Sequence, residues 1–161
     1  MHTDHPLVSV IISCNNHQDY IRGCIASVVR QTYPAIELIV FDDGSSDNSP
    51  AILKSLSEQY GFFFEAQENT GLSRTLNKAL SMAKGKYISP LGSDDILMLE
   101  KIEKQVAFLE QHDDIAMLGG NILIIDQDAV ITPQQKFTAY REVEFNDVFM
   151  NTKPGPQHQP P

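Results

Sequence analysis

The chain has 161 residues, of which 42% are hydrophobic and 20% charged, and its formal net charge is −9. That length supports one domain with a substantial core and is too short to expect two, and the composition is that of a globular protein. An acidic chain of this size does not bind nucleic acid through its overall field, whereas the same charge suits a site that recruits a divalent cation. The two cysteines, Cys14 and Cys24, match no zinc spacing and point to a reduced, cytoplasmic protein in which both thiols act as small buried hydrophobes. No apolar run approaches the roughly 20 residues needed to cross a bilayer. Residues 1–5 carry no Lys or Arg, so they do not read as a signal peptide but as a short tail. A mobile terminus is a better account of His2 and His5 than a metal site.

Short apolar runs alternate with amphipathic stretches, the pattern of an α/β domain with parallel strands. Residues 7–13 form the first run, near-continuously apolar as a strand buried on both faces should be. A helix is expected over 19–31, with Ile21, Cys24, Ile25 and Val28 inward, and Tyr33-Pro34 breaks it. Residues 36–41 are the second strand and 42–49 a polar loop. A second helix spans 50–60, with Ser49 as N-cap and Pro50 as first helical residue, or starts earlier near Ser46. A third strand covers 62–65. A third helix covers 71–83, its buried stripe being Leu72, Leu76, Ala79, Leu80 and Ala83. A fourth strand follows over 87–91 and a fourth helix over 99–111, with Ile102, Val106 and Leu109 inward. Residues 115–125 read as a long apolar strand, with a turn at 126–128 that suits a hairpin with Val130-Ile131. A short helix is expected over 141–150. Residues 6–150 are thus one domain. Residues 151–161 are a Pro-rich tail or the cut end of a longer domain, since four prolines in the last eight residues preclude regular hydrogen bonding.

Three polar clusters follow directly on apolar strands: Ser13-Cys14-Asn15-Asn16, Asp42-Asp43-Gly44-Ser45-Ser46-Asp47 and Gly92-Ser93-Asp94-Asp95. In a parallel sheet the carboxyl ends of the strands share one edge, and ligands bind there at the switch in strand order. Asp94 and Asp95 can offer oxygen ligands to Mg²⁺ or Mn²⁺. A carboxylate of Asp42-Asp43 can accept hydrogen bonds from a base or a ribose. Such a site suits a nucleoside diphosphate. Each cluster alone is also an ordinary turn or helix cap, and Asn69-Thr70-Gly71 alone is a loop. Their joint placement on one edge favours the binding site.

Taken together, these residues resemble glycosyltransferase family 2, the inverting enzymes of the GT-A fold. The likeness runs through Val8-Ser9-Val10-Ile11-Ile12-Ser13, Gln31-Thr32-Tyr33-Pro34, Val40-Phe41-Asp42-Asp43-Gly44-Ser45-Ser46-Asp47, Glu68-Asn69-Thr70-Gly71-Leu72-Ser73 and Leu91-Gly92-Ser93-Asp94-Asp95. It covers about residues 6–125. The resemblance implies a Rossmann-like GT-A domain, a mostly parallel central sheet with helices on both faces. It also implies a nucleotide-sugar donor, commonly a UDP-sugar, with Mg²⁺ or Mn²⁺ as cofactor. Ser13, Cys14 and Asn15 would then touch the base, with Asp42, Asp43, Asn69 and Ser93 completing the nucleotide-sugar site and Asp94 and Asp95 holding the metal. The acceptor would be a glycan, a lipid-linked glycan or a protein, which would bring a cytoplasmic enzyme to the inner face of the membrane.

Three positions depart from the family pattern. Gly92 stands where the first aspartate of Asp-x-Asp usually lies, Asn15 replaces a base-stacking aromatic, and Leu76 replaces an arginine. No motif for the catalytic base is found, since Phe145-Asn146-Asp147 does not fit. The catalytic residues are therefore unassigned, and the chain by itself is expected to bind a nucleotide but to transfer sugar poorly. The alternative reading is a non-catalytic nucleotide- or protein-binding module on the same scaffold.

Overall fold

A computed structural model describes residues 5–120 and 122–125. The chain divides into two units, Met1–Leu118 and Gly119–Pro161. The first unit contains the elements β1 (Val8–Cys14), α1 (Ile21–Val29), β2 (Ile36–Asp43), α2 (Ser49–Tyr60), β3 (Phe63–Gln67), α3 (Leu72–Met82), β4 (Tyr87–Gly92) and α4 (Lys101–Leu109).

The four strands form one sheet in the order β3-β2-β1-β4, and every pairing is parallel. The chain winds outward from β1 to β2 and β3, then returns to place β4 on the other side of β1. The switch in strand order therefore lies between β1 and β4. The fold is the expected Rossmann-like α/β arrangement with helices on both faces.

Strand alternation assigns those faces. Val8, Val10, Ile12 and Cys14 of β1 join Leu38 and Val40 of β2 and Leu91 of β4 against α1, α2 and α4, which contribute Ile21, Cys24, Ile25, Val28, Leu53, Ile102 and Val106. Ile11, Ile39 and Phe41 point the other way and meet Ala79 of α3. Each of the valine, leucine, isoleucine and phenylalanine side chains among these, fully buried, contributes about 1.5–3 kcal/mol relative to exposure. One consequence governs the site. Asp42 lies on the α1 side of the sheet and Asp43 on the α3 side, because consecutive strand residues alternate.

Several expectations are corrected. Residues 42 and 43 are not in a polar loop, since β2 continues through both. Parallel pairing to Cys14 and Gln67 holds them in the ladder, and their side chains find donors there. Helix α2 begins one residue early, with Asn48 at the N-cap position. The Ser49 hydroxyl does not cap it because it accepts the His17 amide, while Asp47 takes the Ser49 amide. The stripe of α3 is narrower than expected: Thr75 and Ala79 are buried, whereas Leu72 and Leu80 are exposed. Leu109 of α4 is only half-buried. Residues 115–125 form no strand among the described residues, apart from an isolated bridge at Ile125. Gly119-Gly120 interrupts that run, and glycine weakens a strand interior. The hairpin at 126–131, the helix over 141–150, Asp147 and the Pro-rich tail lie outside the described residues.

Candidate functional site

The three polar clusters meet at the carboxyl edge of the sheet. The last paired residues of β1, Ser13 and Cys14, stand opposite Gly92 of β4 and Asp42 of β2 respectively. Beyond this line the loops are joined by side chains.

Asn16 carries much of the joining. It adopts a φ of 57°, a left-handed conformation that asparagine tolerates better than most residues. Its Oδ1 accepts the Ser46 amide at 2.8 Å, the Ser46 hydroxyl at 3.1 Å and the Asp47 amide at 3.3 Å. Its own amide donates to Ser45 Oγ at 2.8 Å. Gln18 extends the seam, donating its amide to Asp47 Oδ2 and accepting the Asn48 amide. Asn15 Nδ2 donates to the Asp43 carbonyl at 2.8 Å. His17 reaches the third cluster, its Nδ1 lying 2.6 Å from Ser93 Oγ.

The two carboxylates of β2 are both occupied. Asp42 accepts the Ser45 amide and hydroxyl at 2.9 and 2.5 Å, closing the turn that follows the strand. Asp43 Oδ1 accepts from Gln67 Nε2, the Thr70 amide and the Thr75 hydroxyl, all at 2.9 Å, and from the Thr70 hydroxyl at 3.3 Å. Its Oδ2 accepts the Gly71 amide at 2.9 Å. Asp43 thus sits at the N-terminus of α3, where amides point outward and the helix dipole favours an anion. Burial alone would raise its pKa. The donors from Thr70, Gln67, Thr75 and Gly71 outweigh burial and hold it down at about 2. Gly44 completes this corner. Its φ is +75°, and a Cβ there would lie 2.7 Å from the Asn69 amide nitrogen, so glycine lets the β2 turn press against the loop before α3.

The carboxylates after β4 are different. Asp94 and Asp95 are exposed, and neither side chain takes a hydrogen bond or ion pair among the described residues. The helix-cap alternative fails for them, because α4 begins only at Lys101 with Glu100 at its N-cap position. Both carboxylates fold back over Gly92. A Cβ on Gly92 would meet Asp95 Oδ2 at 2.6 Å and Asp94 Oδ1 at 3.0 Å. The departure from the family pattern at position 92 thus has a steric counterpart. Glycine leaves open the space that the two carboxylate oxygens approach, and oxygen ligands of this kind suit Mg²⁺ or Mn²⁺. Among the described residues no group of three His, Cys, Asp or Glu side chains is arranged to hold a metal.

Of the nearby residues read from the sequence, Asn15, Asn69, Asp94 and Asp95 are exposed and Ser13 is half-buried. Asp42, Asp43 and Ser93 are buried, and Cys14 is wholly so, in the core beneath the loop. Burial raises the thiol pKa of Cys14, and that of Cys24 to about 12, so both stay protonated as structural thiols. Sequence reasoning missed the roles of His17, Gln67 and Thr75. Gln67 was findable from register, being the β3 partner of Asp43. Thr75 is a polar residue on an otherwise apolar helix face.

The family model for glycosyl transferase family 2 matches residues 9–158. The chain belongs to that family. A Bacillus subtilis family member, the putative teichuronic acid biosynthesis glycosyltransferase TuaG, is 36% identical over 151 residues, covering 91% of this chain and 58% of that protein. The Escherichia coli UDP-Glc:alpha-D-GlcNAc-diphosphoundecaprenol beta-1,3-glucosyltransferase WfgD is 32% identical, covering 92% of this chain and 57% of that protein. The chain spans about half the length of the curated relatives it matches. Among solved structures, S. aureus TarS in complex with UDP aligns with a TM-score of 0.62 at 27% identity, over 66% of this chain and 33% of that one. A mannosyltransferase from Pyrobaculum calidifontis in complex with GDP-Man and Mn²⁺ aligns at 0.60 and 25% identity, over 66% of this chain and 33% of that one. The structural neighbours of this family 2 chain are GT-A glycosyltransferases, in accord with the sheet order described above.

Proposed function

We propose that this chain forms the donor-binding part of an inverting glycosyltransferase that takes a nucleotide-diphosphate sugar, a UDP-sugar in the first instance. The observation that carries the reading is the pair of exposed, unpartnered carboxylates, Asp94 and Asp95, converging over Gly92 beside the strand-order switch. The UDP complex of TarS and the UDP-Glc donor in the name of WfgD support the choice of nucleotide.

In this reading the base and ribose lie along Ser13, Asn15 and Asn69. Among the described residues Asp43 Oδ2 accepts only the Gly71 amide, which leaves lone-pair capacity for one donor from the nucleotide. Asp42, Ser93 and Cys14 hold the loops from beneath. Asp94 and Asp95 would hold Mg²⁺ or Mn²⁺, whose chemistry there is to neutralise charge on the departing diphosphate. An acceptor hydroxyl attacking the anomeric carbon from the opposite side gives inversion, and the base that deprotonates it is unassigned. A lipid-linked glycan is the favoured acceptor class, on the strength of the diphosphoundecaprenol in the name of WfgD. Such an acceptor places the enzyme at the cytoplasmic face of the membrane. No helix among the described residues is long and apolar enough to cross one.

Calorimetry against UDP-, GDP- and dTDP-sugars, with and without Mn²⁺, tests the reading. Tighter binding of one nucleotide with the ion present, lost in Asp94→Ala, is the expected result. Equal, weak binding of all three regardless of Mn²⁺ would refute it.

A further inference from the structure

We propose that His17 is a positioning residue that fixes the turn bearing Asp94 and Asp95, an inference that rests on the assignment of those carboxylates to the cation.

The backbone ladder between β1 and β4 ends at Ser13 and Gly92. Past that pair, the segment that carries the carboxylates has few restraints. The Asp95 amide donates to the Gly92 carbonyl at 3.0 Å, which is a contact within the turn itself. At the far end, the Leu97 amide donates to Ser27 Oγ at 3.0 Å. Between them the segment is tied to the rest of the site at Ser93, which immediately precedes Asp94. Ser93 is 3% exposed, so its hydroxyl requires a partner inside the protein. His17 Nδ1 is that partner at 2.6 Å. The Cys14 thiol lies against the same hydroxyl and against Ser49, but a thiol is a weak donor and acceptor.

His17 is itself held in place. Its amide donates to Ser49 Oγ at 3.1 Å, at the start of α2. The left-handed turn at Asn16 brings it there, and its ring packs edge-on against Tyr20 at 6.1 Å between centroids. His17 therefore bridges the switch point, its backbone amide tied to the first turn of α2 and its imidazole to the turn after β4. Two carboxylates can share a small cation only if the backbone between them is fixed, and partners one step removed from a metal's ligands typically set its affinity by 10–100-fold.

The test uses His17→Ala, His17→Asn and Asp94→Ala beside the wild-type chain. Asparagine retains a hydrogen-bonding atom near the Nδ1 position. Two measurements are made on each: peptide-level amide hydrogen exchange of the ligand-free protein, and UDP affinity with and without Mn²⁺. In His17→Ala, exchange should rise across residues 93–97 while β1 stays protected. The gain in UDP affinity from Mn²⁺ should fall about tenfold, and His17→Asn should restore most of it. Unchanged exchange at 93–97 in His17→Ala would overturn the proposal. So would faster exchange with an undiminished Mn²⁺ gain, which would make the tie purely structural. If the wild-type chain shows no Mn²⁺ gain and Asp94→Ala changes nothing, the cation assignment itself fails and the positioning role with it, a result distinct from the other two.

Discussion

Replacing Asp43 by asparagine tests the structural duty of this carboxylate. Asparagine keeps one acceptor oxygen and turns the other into an NH₂ group. With its oxygen facing Gln67, Thr70 and Thr75, the NH₂ group would point at the Gly71 amide, donor against donor. With the amide flipped, four donor groups lose their acceptor instead of one. The negative charge at the N-terminus of α3 is lost in either case. A hydrogen bond to a charged group contributes about 1.5–3 kcal/mol, so the variant should be less stable by at least that amount at neutral pH. For a chain of this length that corresponds to a drop in Tm of roughly 5–10 °C. The pH dependence follows from the depressed pKa. The folded-state value of about 2 lies below the ordinary 3.8, so the native state binds the proton later than the unfolded state does. The contribution is complete above pH 4 and disappears as pH falls towards 2. Urea melts of both proteins from pH 7 to pH 2 measure it. The stability gap should be constant down to about pH 4 and then close. A variant as stable as wild type at pH 7, or a gap that does not narrow in acid, would show that the carboxylate does not brace α3.

Three further outcomes are expected. Asp94→Ala should weaken Mn²⁺-dependent nucleotide binding by about 1.5–3 kcal/mol, roughly 10- to 150-fold, without lowering Tm, because the side chain is exposed and no protein group depends on it. Gly44→Ala should destabilise by about 1–3 kcal/mol in denaturant melts, since alanine is strained at positive φ and its Cβ would press on the Asn69 amide. Gly92→Ala should change stability by less than about 1 kcal/mol, because the atoms a new Cβ meets are the ends of exposed side chains. The same change should reduce Mn²⁺-dependent binding measured by calorimetry, as those ends are the two carboxylates.

Helix and strand positions were largely legible because each buried element repeats its apolar residues at its own period. Ile21, Cys24, Ile25 and Val28 were placed inward from spacing alone, and all four are buried. The failures came where apolar residues do not report burial. Leu72 and Leu80 fit a helical stripe, yet the contact face of α3 is set by Thr75 and Ala79, one packed on Asp43 and the other on the sheet. Residues 115–125 are apolar enough for a strand, but a strand also needs a partner edge and an uninterrupted backbone, which hydropathy does not encode. The site followed the same division. The convergence of the three clusters was readable, since parallel strands must end on one edge. The ties made by His17, Gln67 and Thr75 were not, because they join residues far apart in sequence.

Two Asp-Asp pairs lie at the carboxyl ends of two strands of the same sheet, one inside its strand and one beyond it, and in the sequence they look alike. Their surroundings separate them by simple physical steps. Strand β2 is central and extends through its aspartates, so Asp42 and Asp43 emerge on opposite faces among backbone amides and hydroxyls. A carboxylate in that setting is satisfied from within, and it organises the loops around it. Strand β4 is an edge strand of the described sheet and stops at Gly92, two residues before Asp94. The turn then brings both exposed side chains over Gly92, with α4 still six residues away from Asp95 and, among the described residues, no amide donating to them. Two exposed carboxylates brought over one glycine suit a divalent cation, so the proposed cation site rests on the β4 pair and not on the β2 pair.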